Sequence, residues 1–274
     1  MRQSNAYVIG FAAILTVIIG GLLAAAAVGL REPQQKAVKL DTRTKILSAV
    51  MEIKEGDDVN QIWEERISSL VVDIDGDVVE RLDDGTAVIA ESIDVGKEFK
   101  KSPQERLFPV FEFKGDNGEI QNYIIPVYGN GLWDRIWGFV ALEKDLVTIK
   151  GVRFDHKGET PGLGARITDG EVQDRYIGKK IYNNVGDLVS VQMMKAETGD
   201  ASIYDEYHVD GMSGSTMTAN GVNDMLMRYF RYYSNYFKTI DSADQDEIRK
   251  AEQVDEVIED QQPMKENVQT EEVQ

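Results

Sequence analysis

Apolar residues run without a single charge across positions 7–30. At ~1.5 Å per residue this stretch spans a hydrocarbon core of ~30 Å, so the pattern predicts one membrane helix. A cleavable signal peptide is the competing reading, because Ala24 to Ala27 supply small residues of the kind found at cleavage sites. The run continues past that patch, which favours a retained anchor. Gly21, Ala25 and Gly29 recur every four residues on one face. That spacing either lets a second helix approach closely or simply reflects the composition of membrane helices.

Beyond Leu30 the apolar positions break into shorter groups. Asp41 is placed to cap a helix over 42–54, with Ile46, Leu47 and Val50 on one face, and Gly56 stops it. A second helix is expected over 59–67. Short strands are expected at 70–74, 78–81 and 87–90, with the acidic run from Asp73 to Asp77 read as a β-turn and not as half a calcium loop. Alternation over 110–113 and 120–127 flanks Gly115-Asp116-Asn117-Gly118, a hairpin signal. Strand texture extends to 152, with a distinct strand at 136–142, and further strands are expected at 172–176 and 189–194. Met225, Tyr229, Tyr232, Tyr233 and Tyr236 then form a core-facing stripe on a helix over 222–237. The end of the chain, from Asp244, is acidic, with one proline and no aromatic residue. It is read as a solvated, disordered tail, helical at most near 246–257. The expected organisation is a tail at 1–6, a membrane helix at 7–30, an α/β part at 31–105, a ligand-binding part at 106–242 and the acidic tail at 243–274. The fold class is α+β, with a mixed or antiparallel sheet.

Charge and composition narrow the chemistry. The net charge of −18 argues against nucleic acid as a partner and against anionic lipid surfaces. There is no cysteine, which excludes disulfides, thiolate catalysis and cysteine-ligated iron–sulfur clusters. With only His156 and His208, a histidine-rich metal site is not expected. Redox chemistry, if present, falls to an organic cofactor.

Three segments carry the candidate chemistry. Asp210-Gly211-Met212-Ser213-Gly214-Ser215-Thr216-Met217-Thr218 gathers glycines and hydroxyls with little bulk. Such a loop can cradle a phosphate, thread into another enzyme's active site, or be a plain turn. Tyr128-Gly129-Asn130-Gly131-Leu132-Trp133 is a glycine turn presenting a leucine and an indole. Gly158-Glu159-Thr160-Pro161-Gly162-Leu163-Gly164 is a second turn, followed by Ala165-Arg166.

The first segment resembles the flavin-attachment motif of bacterial respiratory flavoproteins, Asp-x-x-Ser/Thr-Gly-Ala/Ser-Thr, with Ser215 where alanine is usual. In order and content, all three resemble the FMN-bearing C subunit of the sodium-translocating NADH:quinone reductase. The Gly158 turn and the Asp210 loop also occur in the G subunit of the related Rnf complex. The resemblance spans nearly the whole chain, stopping near Ser242. It implies FMN joined through its phosphate to Thr216, attached by a separate flavin transferase, with Asp210 orienting the loop or a metal during that step. Ser213, Gly214, Ser215 and Thr218 complete the implied loop contacts. An isoalloxazine needs apolar walls and a few donors. Leu132, Trp133 and Leu163 offer walls, Gly162 and Gly164 allow close backbone approach, and Thr160 offers a donor. Glu159 either lowers the flavin potential or caps its turn. Lys195 either offsets phosphate charge or is a solvated lysine.

The function implied is electron relay between an iron–sulfur centre and another flavin subunit within a membrane complex, with the soluble body on the extracytoplasmic side of a bacterial inner membrane. An Rnf-type subunit, a freestanding anchored flavoprotein and a cofactor-free anchored binding protein are the alternatives.

Overall fold

The computed structural model describes the backbone of residues 4–260 and the side chains of residues 4–240. The first element, α1, is one helix over Asn5–Ser48, with Ser4 Oγ accepting from Tyr7 N–H. It contains the apolar stretch and runs unbroken through Ala24 to Ala27. The separate helix expected at 42–54 is therefore the end of α1. Asp41 does not cap a new helix but pairs with Lys45 one turn on, at 2.9 Å. The helix stops at Ser48, earlier than expected, where the backbone of Ala49 lies against Gly151 of the sheet.

Asp58 caps α2 (Val59–Arg66), accepting from Asn60 N–H and Gln61 N–H, and α2 leads directly into β1 (Ile67–Val72). A short α3 (Val95–Glu98) precedes β2 (Phe108–Lys114), β3 (Ile120–Asn130), β4 (Arg135–Glu143) and β5 (Ile149–His156). Strands β1 to β5 form one antiparallel meander, each pairing with the next. The β2–β3 hairpin turns at Gly115–Gly118, as its sequence predicts. The expected strands at 78–81 and 87–90 reduce to single bridges, Val72 to Val78 and Arg81 to Ala87. Asp73 Oδ1 accepts from Asp75 N–H and Asp77 N–H, which makes the expected turn.

The expected strand at 172–176 is instead a helix, α4 (Gly170–Asp174). Val172, Gln173 and Tyr176 are buried while Glu171 and Asp174 are exposed, the pattern of one helix face and not the alternation of a strand. Of the strand at 189–194 only β6 (Gln192–Met193) forms, paired in parallel with β7 (His208–Val209). The last element, α5 (Thr216–Asp260), starts within the candidate loop and continues through the stretch read as helical in the tail. Residues past 260 lie outside the described region.

The sheet is buried on both faces. Alternation sends Tyr123, Ile125, Val127, Val140 and Leu142 toward α5, where they meet Leu226, Tyr229, Phe230 and Tyr233. Ile124, Ala141 and Phe111 point the other way, toward Ile46, Leu47 and Trp63 of α1 and α2. Lys45 pairs with Asp155 at 2.6 Å while Ala49 sits on Gly151. The end of α1 and β5 thus run in opposite directions. Following α1 back toward its apolar part leads to the end of the sheet that carries the β3–β4 turn.

Candidate functional site

At that end of the sheet one buried carboxylate joins the three motif segments. Glu159, 4% exposed, accepts through Oε1 from Trp133 N–H at 2.9 Å and through Oε2 from Thr218 Oγ1–H at 2.6 Å. Its own N–H donates to His156 Nδ1 at 3.2 Å. Burial pushes the carboxyl up, but bonds from Thr218, Trp133, Asp134 and Leu132 outweigh that and hold it below the usual range. Of the two roles open for Glu159 in the sequence, its geometry is that of a turn cap. The packing is tight enough to dictate glycine. A Cβ on Gly164 would run into Thr218 Oγ1 and Glu159 Oε2, and one on Gly131 into Glu159 Oε1.

Thr218 and Thr216 are therefore unlike. Thr218 is 1% exposed and its hydroxyl is engaged by Glu159. Thr216 is half-buried and opens α5 as its first residue. The N–H groups of a helix's first turn have no intrahelical acceptor and attract anions. Ser215 is buried beside them, its Oγ turned back to Ser213 O at 3.5 Å. Gly214 has φ +73°, the left-handed region that favours glycine, and is exposed with Ser213. A Cβ at Gly214 would touch Leu163 Cδ2 at 2.9 Å. Leu163 thus sits beside the loop. Leu163, Leu132, Trp133 and Met217 all carry large apolar side chains exposed to solvent. Thr160 turns its carbonyl inward, accepting from Leu163 N–H and Ala165 N–H, and Gly162 has φ +74° in the same turn.

Asp210 is turned away from the loop tip. Its buried carboxylate accepts from Thr198 N–H, Gly199 N–H at 2.7 Å, Gly211 N–H and Tyr204 O–H at 2.9 Å. Burial raises this carboxyl, and the bonds from Thr198, Gly199 and Tyr204 more than reverse it. Lys195 is exposed, between Met194 and Ala196, whose carbonyls press on Gly211.

A second support under the loop has no counterpart among the sequence motifs. Arg166 grips Glu197 with two bonds of 2.7 Å, and Arg175 adds a third of 2.9 Å. Glu197 accepts from Ser213 N–H at 3.0 Å, and Arg175 donates to the carbonyls of Asp210 and Gly211. Arg166 first, then Ser213 N–H, hold the Glu197 carboxyl well below the usual range. Arg166 was visible two residues after Gly164. Glu197 carries no local signal, because its partners lie 16 to 31 residues away, and the local pair of Arg175 with Glu171 does not point to its bonds with Glu197 and the loop carbonyls.

The site thus pairs a hydroxyl at a helix N-terminus with an apolar, solvent-facing surface, on a loop fixed from both sides. These features suit a phosphate joined to a flat, largely apolar ring, and FMN has that chemistry.

Comparison with known proteins agrees with this geometry. A family model described as an FMN-binding domain matches residues 131–230. The chain is similar to the C subunit of the Na(+)-translocating NADH-quinone reductase of Vibrio campbellii, with 32% identity over 236 residues, 81% of this chain and 87% of that protein. Similarity to the equivalent protein from Neisseria meningitidis serogroup B is 32% over 241 residues, covering 84% of this chain and 92% of that one. Among solved structures, the C subunit from Parabacteroides distasonis superposes with a TM-score of 0.64 at 32% identity, over 76% of this chain and 96% of that chain.

Proposed function

Since the chain belongs to the family of the Na(+)-translocating NADH-quinone reductase C subunits, we propose that it carries FMN on Thr216 and relays electrons within such a complex. The observation that carries the reading is the contrast between the two threonines. Thr216 opens α5 with no hydrogen bond drawing its hydroxyl inward among the described residues, while Thr218 is buried on Glu159. Attachment forms a bond from Thr216 Oγ to the FMN phosphorus of FAD and breaks the pyrophosphate. AMP leaves and the hydroxyl proton is lost. A separate flavin transferase supplies the catalysis.

Bound at this site, FMN would supply one-electron transfer. The chain's own residues bind and orient. First-turn N–H groups of α5 would hold the phosphate. Leu132, Trp133 and Leu163 give the ring apolar contact and keep water from part of it. Glu159 and Glu197 keep the two turns and the loop in register, and Asp210 shapes the loop for the transferase. The soluble body lies outside the cytoplasm, and electrons pass from an iron–sulfur centre to a second flavin on other subunits.

In-gel flavin fluorescence after co-expression with the transferase tests the assignment. Thr216→Ala is expected to abolish the signal, and Thr218→Ala to keep it while losing ~1–3 kcal/mol of stability from the unpaired Glu159 oxygen. Fluorescence retained in Thr216→Ala and lost in a folded Thr218→Ala would overturn it.

A further inference from the structure

Between α1 and the sheet face turned away from α5 lies an open cleft of about 1150 Å³. One wall is a single face of α1, with Arg31, Gln34, Val38, Thr42 and Ile46 at spacings of three and four. Phe111, Pro126 and Phe139 make an apolar floor. Arg31 is the first charged residue after the apolar run, so the cleft begins where α1 leaves its membrane-length stretch. Val38 lies in the wall yet is 65% exposed.

The rim is cationic in a chain of net charge −18. Arg31, Lys39, Arg135 and Lys157 line it against Glu91 and Asp94. Lys39 pairs with Glu91 and Lys157 with Asp134, each at 3.2 Å. Arg31 and Arg135 have no carboxylate within ion-pair distance among the described residues. Next to Arg135 the guanidinium groups of Arg106, Arg135 and Arg228 gather at 5.4, 5.6 and 5.5 Å from the ring of Phe99. Phe99 in turn packs on Tyr128 of the cleft, at 5.3 Å between centroids. None of the three arginines has an ion pair among the described residues. Arg106 is buried and spent on Lys101 O, Phe99 O and the Tyr232 hydroxyl, and Arg135 bonds the neutral Asn130, so the charge left facing the cleft is that of Arg31 and Arg135, which opposing carboxylates would offset. The cleft is also larger than the ~300–1,000 Å³ usual for small-molecule sites, and it is open along its length.

We propose that this cleft seats an apolar segment bearing carboxylate side chains, contributed by a membrane-embedded subunit of the same complex and leaving the bilayer beside α1. The proposal rests on the reading of this chain as a subunit of a larger reductase. Apolar side chains of the segment cover Val38 and Phe139. Its carboxylates meet Arg31 and Arg135.

The test is photo-cross-linking in the intact, purified complex, with a benzophenone amino acid replacing Val38 and, as a control, Val185 on a distant exposed turn. The expected product at position 38 is an adduct to one membrane subunit, mapping to a peptide with acidic residues among apolar ones. Arg135→Glu should cut its yield roughly tenfold and Arg135→Lys should keep it, with retained covalent flavin reporting that each variant is folded. An adduct to lipid alone, an adduct to a second copy of this chain, equal yields at 38 and 185, or no subunit adduct in an intact complex would overturn the inference alone. A wild-type chain that brings down no other subunit would instead defeat the functional reading on which it rests.

Discussion

Glu159 holds two chain segments with one carboxylate, and this sets expectations for single substitutions. Glu159→Gln removes a charged acceptor from Trp133 N–H and Thr218 Oγ1–H. The expected cost at pH 7 is ~1.5–3 kcal/mol. The folded carboxyl is held below its ordinary value. Its contribution is therefore complete above the unfolded value of about 4.3 and is lost as pH falls through the lower folded value. Melts from pH 7 down to acid should show the gap between wild type and Glu159→Gln narrowing below about pH 4. A gap constant with pH would show that charge is not what matters there. Trp133 makes a different case. At 71% exposed it fills no core, so Trp133→Ala should change stability by less than ~0.5 kcal/mol. Covalent FMN should remain, with brighter emission once the quenching indole is gone. A large drop in melting temperature with unchanged emission would place the indole in packing and away from the flavin. Residue types alone left the Asp210 loop open between a phosphate cradle and a plain turn; the assignment of Thr216 came from the resemblance of its motif, and the apolar trio was legible only as large side chains beside glycine turns. The inward turn of Glu159 and Asp210 could not, since a carboxylate's direction depends on donors from distant segments.

Elements were legible where their pattern was local. The apolar run of α1, the Gly115–Gly118 hairpin and the aromatic stripe of α5 each have a period that a short window reveals. Strand β5 was not singled out, because Ile149–His156 alternates apolar residues with Lys150, Arg153 and Asp155 and follows a long strand-like stretch without a strong turn signal. The helix α4 was misread because Val172 invites a strand, whereas its burial with Tyr176 is decided by the core they enter. The boundary at Asp41 failed for a related reason. A capping residue acts only where the helix is free to begin, and here α1 was already running. Of the Arg166–Glu197–Arg175 support only Arg166 was visible, beside its turn, as an ion pair between a turn and a later loop leaves no periodic trace.

At the scale of the whole molecule, α1 enters from the same end that carries the β3–β4 turn and Thr216, so the proposed flavin faces the side from which the anchor arrives. Which side of the membrane this is can be read directly. The chain has no cysteine, and Val185 is 81% exposed, so Val185→Cys gives a single label site on a clean background. An impermeant maleimide should label it in intact spheroplasts, and labelling only after permeabilisation would put the body in the cytoplasm. The central claim, that this chain carries a covalent FMN, rests most directly on the intact mass of the full chain co-expressed with the flavin transferase. The expected result is a gain of one FMN less one water, with the added mass on the peptide containing Thr216. An unmodified mass, or a flavin on a peptide without Thr216, would contradict it.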